Sequence, residues 1–184
     1  MNLDKLREYI YNRADIYCNQ KYAGNLPYSF HLDCVEKQGR KFIHLIDNKD
    51  RLIVLAGLIN HEDIEDFRMT YNDVVEVASK FYDVDERSYN YIENFGEKVA
   101  DIVYAVTDEK GKSRAERKNE KYYKELIENK LAVFVKLADL SANTLFSKLT
   151  GSSMYEKYKK EFPKFKEKVY IEEYEEFFNY VENL

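Results

Sequence analysis

The chain of 184 residues has room for one domain with a proper core, and two full domains would fit only tightly. Hydrophobic residues make up 45% of it and charged residues 34%, a composition that excludes a disordered chain and an integral membrane protein. Only 6 glycines and 2 prolines occur, which argues against a turn-rich sandwich or barrel and favours long helices. The net charge of −5 predicts that nucleic acid is not the main partner.

Several signals that would point to other classes of protein are missing from the sequence. Met1 leads directly into a charged segment, and no run approaches the roughly 18 apolar residues of a membrane helix. We therefore expect a cytoplasmic protein that does not bind membranes. Cys18 and Cys34 are isolated, and we expect them to be reduced and partly buried. A Walker loop, a GxGxxG motif and a GxSxG motif are absent, which excludes the commonest signatures of nucleotide binding and acyl transfer.

Apolar residues recur at helical spacing along the chain, as Leu6, Ile10 and Ala14 do in the first segment. No window of strand length alternates Val, Ile or Thr with polar residues, so the predicted fold is all-α. Thr70 is a predicted N-cap, with Asp73 at the capping-box position. In chain order, the predicted helices cover residues 3–20, a segment that begins at 28–31, 52–59, a segment that follows Thr70, 95–107, 114–128, 131–148 and much of the tail beyond 153.

The C-terminal tail differs from the rest of the chain in composition. It becomes richer in Tyr, Phe, Lys and Glu after about Gly151, yet Phe162, Phe165 and Val169 keep helical intervals. We therefore expect the tail to pack on the same core and residues 1–184 to form a single domain. Pro163 is expected to end or kink a helix in this tail, because proline lacks the backbone N–H.

Three polar residues lie within the apolar stripes of the predicted helices. Asp139 shares a stripe with Val135 and Ala142, and a buried carboxylate is costly unless it is paired or binds a metal ion. His31 begins one apolar stripe and His61 ends another. A single histidine within an apolar stripe is more often a core residue with hydrogen-bonded ring nitrogens than a metal ligand.

Residues 61–66 read His-Glu-Asp-Ile-Glu-Asp and place one imidazole and four carboxylates where a core helix ends. So many like charges repel one another unless a cation neutralises them. The segment lacks the second histidine of the HExxH metalloprotease motif, which excludes that class of metal site. The carboxylates of this segment therefore favour a metal-binding role for His31 and His61.

The order of these motifs resembles the HD-domain metal-dependent phosphohydrolases. More narrowly, it is similar to the (p)ppGpp hydrolase domain of RelA/SpoT-type enzymes and their small stand-alone relatives. The residues that carry the similarity are, in order, His31, then His61-Glu62 with Glu65-Asp66, then Val135-Lys136-Leu137-Ala138-Asp139. The supporting pieces are residues 26–31, 95–99, 106–108 and 112–118, and Asn143 after Asp139. The resemblance covers residues 23–147.

The resemblance implies an HD-domain helical bundle that holds one divalent metal ion, usually Mn²⁺, and hydrolyses a phosphorylated small molecule of the nucleotide type. Metal-activated water would attack phosphorus, and the 3′-pyrophosphate of (p)ppGpp is the leading substrate. The implied metal ligands are His31, His61, Glu62 and Asp139. The implied acid/base pair is Glu65 and Asp66. The implied substrate-binding residues are Tyr28, Lys136, Asn143, Arg114, Arg117 and Lys118.

The sequence departs from the family pattern in four respects, the first of which is Asn60 in place of the usual apolar residue before His61. Glu62 stands where the family has aspartate, which leaves Asp63 as an alternative ligand. Leu140 follows the metal aspartate where the family usually has arginine or lysine. The segment before Pro27 also lacks the basic residues that the stand-alone (p)ppGpp hydrolases carry there. Fewer cations near the site indicate a substrate that is less highly charged than a bis-pyrophosphate.

Other functions stay open on the sequence alone. One alternative is a nucleotidase or phosphomonoesterase of the same family. Another is a degenerate HD domain that binds a nucleotide or a protein partner without turnover, and a third is a purely structural bundle, which leaves the buried Asp139 unexplained. For Arg114, Arg117 and Lys118, a solvated helix face is the alternative to phosphate binding.

Overall fold

The computed structural model of the chain describes residues 2–18, 21–22, 25–88, 91–108 and 112–184. These residues form an all-α bundle, as the sequence predicts. No strand forms among them, and an isolated antiparallel bridge joins Tyr22 to Leu26. The helices are α1 Leu3–Tyr17, α2 Tyr28–Lys41, α3 Arg51–Asn60, α4 Tyr71–Lys80, α5 Phe95–Val106, α6 Arg114–Arg117, α7 Glu120–Glu128, α8 Lys130–Leu149, α9 Met154–Val169 and α10 Glu175–Glu182.

Helix α8 lies at the centre of the bundle. Helices α2, α3, α5, α7, α9 and α10 all pack against it. Every residue from Ala132 to Ala142 is buried, so this helix is covered on all of its faces rather than on one stripe. Any polar side chain in this stretch, such as Lys136 or Asp139, is therefore held inside the protein.

The capping signals explain where two of the helices begin. The Thr70 hydroxyl accepts a hydrogen bond from the Asp73 N–H at 3.2 Å, and the Asp73 carboxylate accepts one from the Thr70 N–H at 2.7 Å. The predicted capping box is thus confirmed. The helix predicted over 114–128 is divided instead into α6 and α7, because Asn119 caps α7 by accepting a hydrogen bond from the Tyr122 N–H at 3.1 Å.

The ends of two other predicted helices need correction. Helix α1 ends at Tyr17, and residues 19–20 of the predicted helix lie outside the described residues. Helix α9 continues through Pro163 to Val169, so of the two expected effects of the proline, an end or a kink, the helix end does not occur. Proline removes only one backbone donor, and buried Phe162 and Phe165 fix the helix on both sides of it.

The tail after Gly151 adds side chains to the central core. Phe177 of α10 stacks on Phe42 with ring centroids 4.1 Å apart and meets Phe134 of α8 edge-on at 5.3 Å. Phe162 of α9 belongs to the same buried cluster. Helices α9 and α10 therefore share one continuous core with the helices that precede them.

A buried ion-pair cluster joins α1 to α2. The Glu36 side chain is only 5% exposed, and its carboxylate accepts hydrogen bonds from Arg7 at 2.7 and 2.5 Å and from Arg40 at 2.7 Å. Burial alone would raise the pKa of Glu36, but the hydrogen bonds from Arg7 and Arg40 hold it below its ordinary value. The ionised carboxylate is therefore the form that the fold requires.

Glu36→Ala is expected to lower the free energy of unfolding by about 2 kcal/mol, because it leaves two guanidinium groups without their shared partner. The folded-state pKa lies below the unfolded one. The stabilisation is thus complete above the ordinary glutamate pKa of about 4.3 and is lost as the pH falls through the lower folded value. Urea unfolding of the wild type and of Glu36→Ala as a function of pH measures this contribution. The difference between their free energies of unfolding should shrink in acid.

The matched control for this variant is Asp33→Ala in the same helix. Asp33 pairs with Lys37 at 2.6 Å, but the two side chains are 42% and 72% exposed. An exposed pair of this kind contributes at most about 1 kcal/mol. Equal effects of the two substitutions at neutral pH would contradict a stabilising role for the buried cluster.

Candidate metal centre

Three segments of the bundle bring four ligand-type side chains together. His31 comes from α2, His61 and Glu62 from the turn that follows α3, and Asp139 from α8. One potential ligand atom from each of the four lies within 4.8 Å of the others. These are the four residues that the resemblance implies as metal ligands, and the structure brings all of them to one place.

The local sequence explains how polar groups reach this buried position. Helix α3 is apolar around most of its circumference and is buried between α2, α5 and α8, so its C-terminal cap, His61, lies deep in the bundle. His31 precedes the buried Leu32, and Asp139 follows the buried Ala138. His31, His61 and Asp139 are 3%, 4% and 7% exposed.

The distances show that the four groups face a common centre. The Nε2 atoms of His31 and His61 are 3.3 Å apart. Each of these nitrogens is 3.3 Å from Glu62 Oε1, and His31 Nε2 is 3.6 Å from Asp139 Oδ1. Two imidazole nitrogens and two carboxylate oxygens thus converge without an intervening side chain.

The orientation of the two rings fits a bound cation. His61 Nδ1 donates a hydrogen bond to the Leu58 carbonyl at 2.8 Å, so the ring, whenever it is neutral, turns the Nε2 lone pair towards the centre. His31 Nδ1 is buried and has no hydrogen-bond partner among the described residues. Lone pairs and carboxylates that point at one another repel unless a positive charge lies between them. Imidazole and carboxylate groups are ordinary ligands of divalent metals, so these residues fit such an ion.

Buried charge partners keep both carboxylates of the cluster ionised. Burial alone would raise the pKa of Glu62, but hydrogen bonds with His31 and His61 hold it well below its ordinary value. Burial would likewise raise the pKa of Asp139, and the nearby Lys136 ammonium holds it below its ordinary value. The two oxygens are therefore charged and available as ligands.

Protonation of His61 would compete with metal binding at the cluster. Burial lowers its pKa, but the hydrogen bond with Glu62 and the charges on Glu62 and Asp139 together raise the pKa above its ordinary value. A proton and a metal ion compete for the same ring nitrogen, so acid weakens metal binding at such a site.

Asp63, the alternative ligand in the sequence, lies elsewhere. It is completely buried, it is not part of the cluster, and neither of its carboxylate oxygens accepts a hydrogen bond from the described residues. Burial raises its pKa well above the ordinary value. The backbone after α3 thus directs Glu62, and not Asp63, towards the two histidines.

The two residues expected to be the acid/base pair occupy different surroundings. Glu65 lines the cavity beside the cluster and accepts a hydrogen bond from the Asp108 N–H at 3.2 Å. Asp66 is not among the residues that line this cavity, and it accepts a hydrogen bond from the Tyr28 hydroxyl. Burial raises the pKa of both carboxyl groups, and the charge on Glu62 raises them further. A carboxyl group with a raised pKa suits proton transfer near neutral pH.

The cluster opens into a cavity of about 240 Å³. The lining includes four carboxylates and three cations, so the wall carries one net negative charge, and a bound divalent ion would change this to one net positive charge. The lining residues are Tyr22, Tyr28, His31, Glu62, Glu65, Asp108, Arg117, Lys118, Lys136, Asp139, Leu140, Asn143 and Tyr158.

Five of the six predicted substrate-binding residues line this cavity. These are Tyr28, Lys136, Asn143, Arg117 and Lys118. Arg114 lies in α6, and its side chain is outside the part of the chain that the structure describes.

Two of these residues also hold Asp139. Lys136 Nζ is 3.2 Å from Asp139 Oδ2 and donates to the Val106 carbonyl at 3.3 Å. Asn143 Nδ2 donates to Asp139 Oδ1 at 2.5 Å. The Asp139 carboxylate is therefore fixed by two neighbours on its own helix, at helical spacings that the sequence displays.

Tyr22 is a site residue that the sequence reading missed. Its ring stacks on His31 with centroids 5.0 Å apart, and its hydroxyl donates to Asn143 Oδ1 at 3.0 Å. Tyr22 thus links the residue that fixes Asp139 to the His31 ring. It lies outside any helical stripe, in the bridge with Leu26, so periodicity gave no signal for it.

No family model, no curated protein and no solved structure matches this chain. Within the described residues, none of the helices has the length and apolar character needed to cross a membrane.

Proposed function

We propose that the chain is a metal-dependent phosphohydrolase that acts on a nucleotide-type substrate. The observation that carries this proposal is the convergence of His31, His61, Glu62 and Asp139 within 4.8 Å of one another, beside a cavity with basic side chains. The order of these residues in the chain also resembles the HD-domain phosphohydrolases.

The four residues would hold one divalent ion, and we propose Mn²⁺ because the resemblance implies it and because carboxylate and imidazole ligands suit it. When bound, such an ion polarises a phosphoryl oxygen and lowers the pKa of a water molecule. Lys136, at Asp139 Oδ2, and Asn143, which donates to Oδ1, keep the Asp139 carboxylate in place. Partners of this kind typically change metal affinity by about 10–100-fold.

The side chains of the cavity supply the remaining chemistry. Glu65 accepts the proton of the attacking water, and its raised pKa lets it return that proton to the leaving group. Asp66 would be the second member of the acid/base pair, and the hydrogen bond from the Tyr28 hydroxyl orients its carboxylate. Arg117 and Lys118, with Lys136, neutralise the phosphate oxygens.

The charge of the cavity bears on the choice of substrate. The resemblance makes (p)ppGpp, hydrolysed to release pyrophosphate, the leading candidate. The wall with a divalent ion would carry only one net positive charge, which favours a second candidate, a nucleoside monophosphate or another phosphomonoester.

Hydrolysis assays on a mixed panel test the proposal. The purified chain is incubated with Mn²⁺ and (p)ppGpp, nucleoside mono-, di- and triphosphates or simple phosphomonoesters, the reaction is stopped with a chelator, and products are read by phosphorus NMR. We expect turnover that requires the metal, and the product, pyrophosphate or orthophosphate, separates the two substrate candidates.

Asp139→Asn and Asp101→Asn serve as paired variants in this assay. Asp101 lies exposed on α5, where its carboxylate accepts a hydrogen bond from the Tyr71 hydroxyl, and it lines neither the cluster nor the cavity. Turnover should disappear in Asp139→Asn and persist in Asp101→Asn. Turnover that survives both Asp139→Asn and chelation would contradict the proposal, and metal binding without any turnover would point to a degenerate domain.

A further inference from the structure

A second cavity, of about 370 Å³, lies between α7, α8 and α9. Its volume is within the range of about 300–1,000 Å³ that is usual for small-molecule sites. The lining residues are Lys118, Tyr123, Leu140, Thr144, Tyr158, Glu161, Phe162, Lys164, Phe165 and Lys168. We call it the aromatic pocket, and neither the sequence motifs nor the proposed chemistry uses it.

The aromatic pocket combines ring faces with basic groups. Tyr123 lies beside Phe165 with ring centroids 6.4 Å apart, and Phe162 stacks at 6.1 Å from Phe165. Lys118, Lys164 and Lys168 also line it. Aromatic side chains offer stacking surfaces to a flat ring, and lysines attract an anion that is attached to such a ring.

The aromatic pocket adjoins the metal cavity. Lys118, Leu140 and Tyr158 line both of them. Leu140 directly follows the ligand Asp139 and stands where the resembled family usually has a cation, so an apolar side chain forms the shared wall. A molecule with a charged end at the cluster and a flat apolar end would reach both cavities.

We propose that the aromatic pocket binds the base of a nucleotide whose phosphate lies at the metal cluster. This inference rests on the proposed function and adds to it a specificity site. Stacking on Tyr123 and on the phenylalanines of α9 would hold the ring, while Glu161 and Thr144 offer hydrogen-bonding groups to its edge. Because α9 supplies Tyr158, Phe162 and Phe165, the C-terminal tail takes part in substrate selection.

Saturation-transfer NMR with guanosine and adenosine, which carry no phosphate, tests the pocket without any hydrolysis. Ribose is the control ligand because it lacks the base. We expect transfer to the base protons of the nucleosides and none to ribose. Tyr123→Ala should weaken nucleoside binding about tenfold, because loss of one stacking partner typically costs this much or more.

Two further variants keep the test independent of folding. Tyr123→Leu retains apolar volume but removes the ring, and it should weaken binding in the same direction. Tyr104→Ala removes an exposed tyrosine of α5 that lines neither cavity, and it should bind nucleosides as the wild type does. Circular dichroism and thermal unfolding verify that each variant is folded.

A kinetic comparison separates this inference from the proposed function. The ratio of kcat/KM for a nucleoside 5′-monophosphate to that for ribose 5-phosphate should fall about tenfold in Tyr123→Ala and stay constant in Tyr104→Ala. Metal-dependent turnover of both substrates at equal rates, without nucleoside binding, would overturn the aromatic pocket as a base site and leave the hydrolase intact. Nucleoside binding that depends on Tyr123, without turnover of any phosphate, would uphold the base site and overturn the hydrolase.

Discussion

Asp139→Asn is expected to remove both metal binding and hydrolysis while the chain stays folded. The substitution replaces a charged ligand by a neutral amide of nearly the same shape, so packing in α8 changes little. Changes to the partners of metal ligands already cost about 10–100-fold in affinity. Loss of a ligand should therefore lower Mn²⁺ affinity by at least about 100-fold in isothermal titration calorimetry.

The loss of hydrolysis in Asp139→Asn should be larger still. A bound metal contributes several kcal/mol to stabilisation of the transition state, and each 1.36 kcal/mol corresponds to a factor of ten in rate. We expect kcat/KM to fall by at least about 10³-fold. Asp101→Asn is the control in both measurements, and an Asp139→Asn protein that binds Mn²⁺ as the wild type does would exclude the cluster as the metal site.

Amide substitutions at the adjacent residues Glu62 and Asp63 should differ in their effect on metal binding. Glu62 Oε1 lies 3.3 Å from both histidine nitrogens, whereas Asp63 is buried away from the cluster. Glu62→Gln is therefore expected to weaken Mn²⁺ binding at least about 100-fold, and Asp63→Asn to keep an affinity close to that of the wild type.

Glu62→Asp refines this comparison, because it restores the residue that the resembled family carries. The charge is kept and one methylene is lost, so more affinity and activity should remain than in Glu62→Gln. Isothermal titration calorimetry with Mn²⁺ on Glu62→Gln, Glu62→Asp and Asp63→Asn gives the order of their metal affinities directly. Loss of binding in Asp63→Asn with retention in Glu62→Gln would reverse the assignment of the ligand.

Periodicity was sufficient to predict the helices, and within the site it singled out His31, His61 and Asp139 as polar residues of apolar stripes. The other site residues were predicted from the resemblance to the HD-domain phosphohydrolases. Asp139 shares a helical stripe with apolar residues, and that pattern alone placed a carboxylate inside the bundle. The expected helix end at Pro163 does not occur, because burial of Phe162 and Phe165 outweighs the loss of one backbone donor. The packing of several buried apolar side chains can outweigh the helix-breaking propensity of a single residue.

Two features made by contacts between distant segments could not be predicted from the sequence. Tyr22 touches His31 and Asn143 only because the bridge with Leu26 turns it towards α8. The aromatic pocket likewise exists only where α7 and α9 meet α8, and the tail's phenylalanines looked like ordinary core residues in sequence. Side chains that meet across elements have no spacing rule to reveal them.

The central claim is that a divalent ion occupies the cluster, and anomalous diffraction tests it most directly. Crystals grown with Mn²⁺ would be measured on both sides of the manganese absorption edge. We predict one strong anomalous peak per chain, bounded by His31, His61, Glu62 and Asp139, and its loss in crystals of Asp139→Asn. A wild-type map with no peak among these four residues, or with its peak at other side chains, would contradict the account.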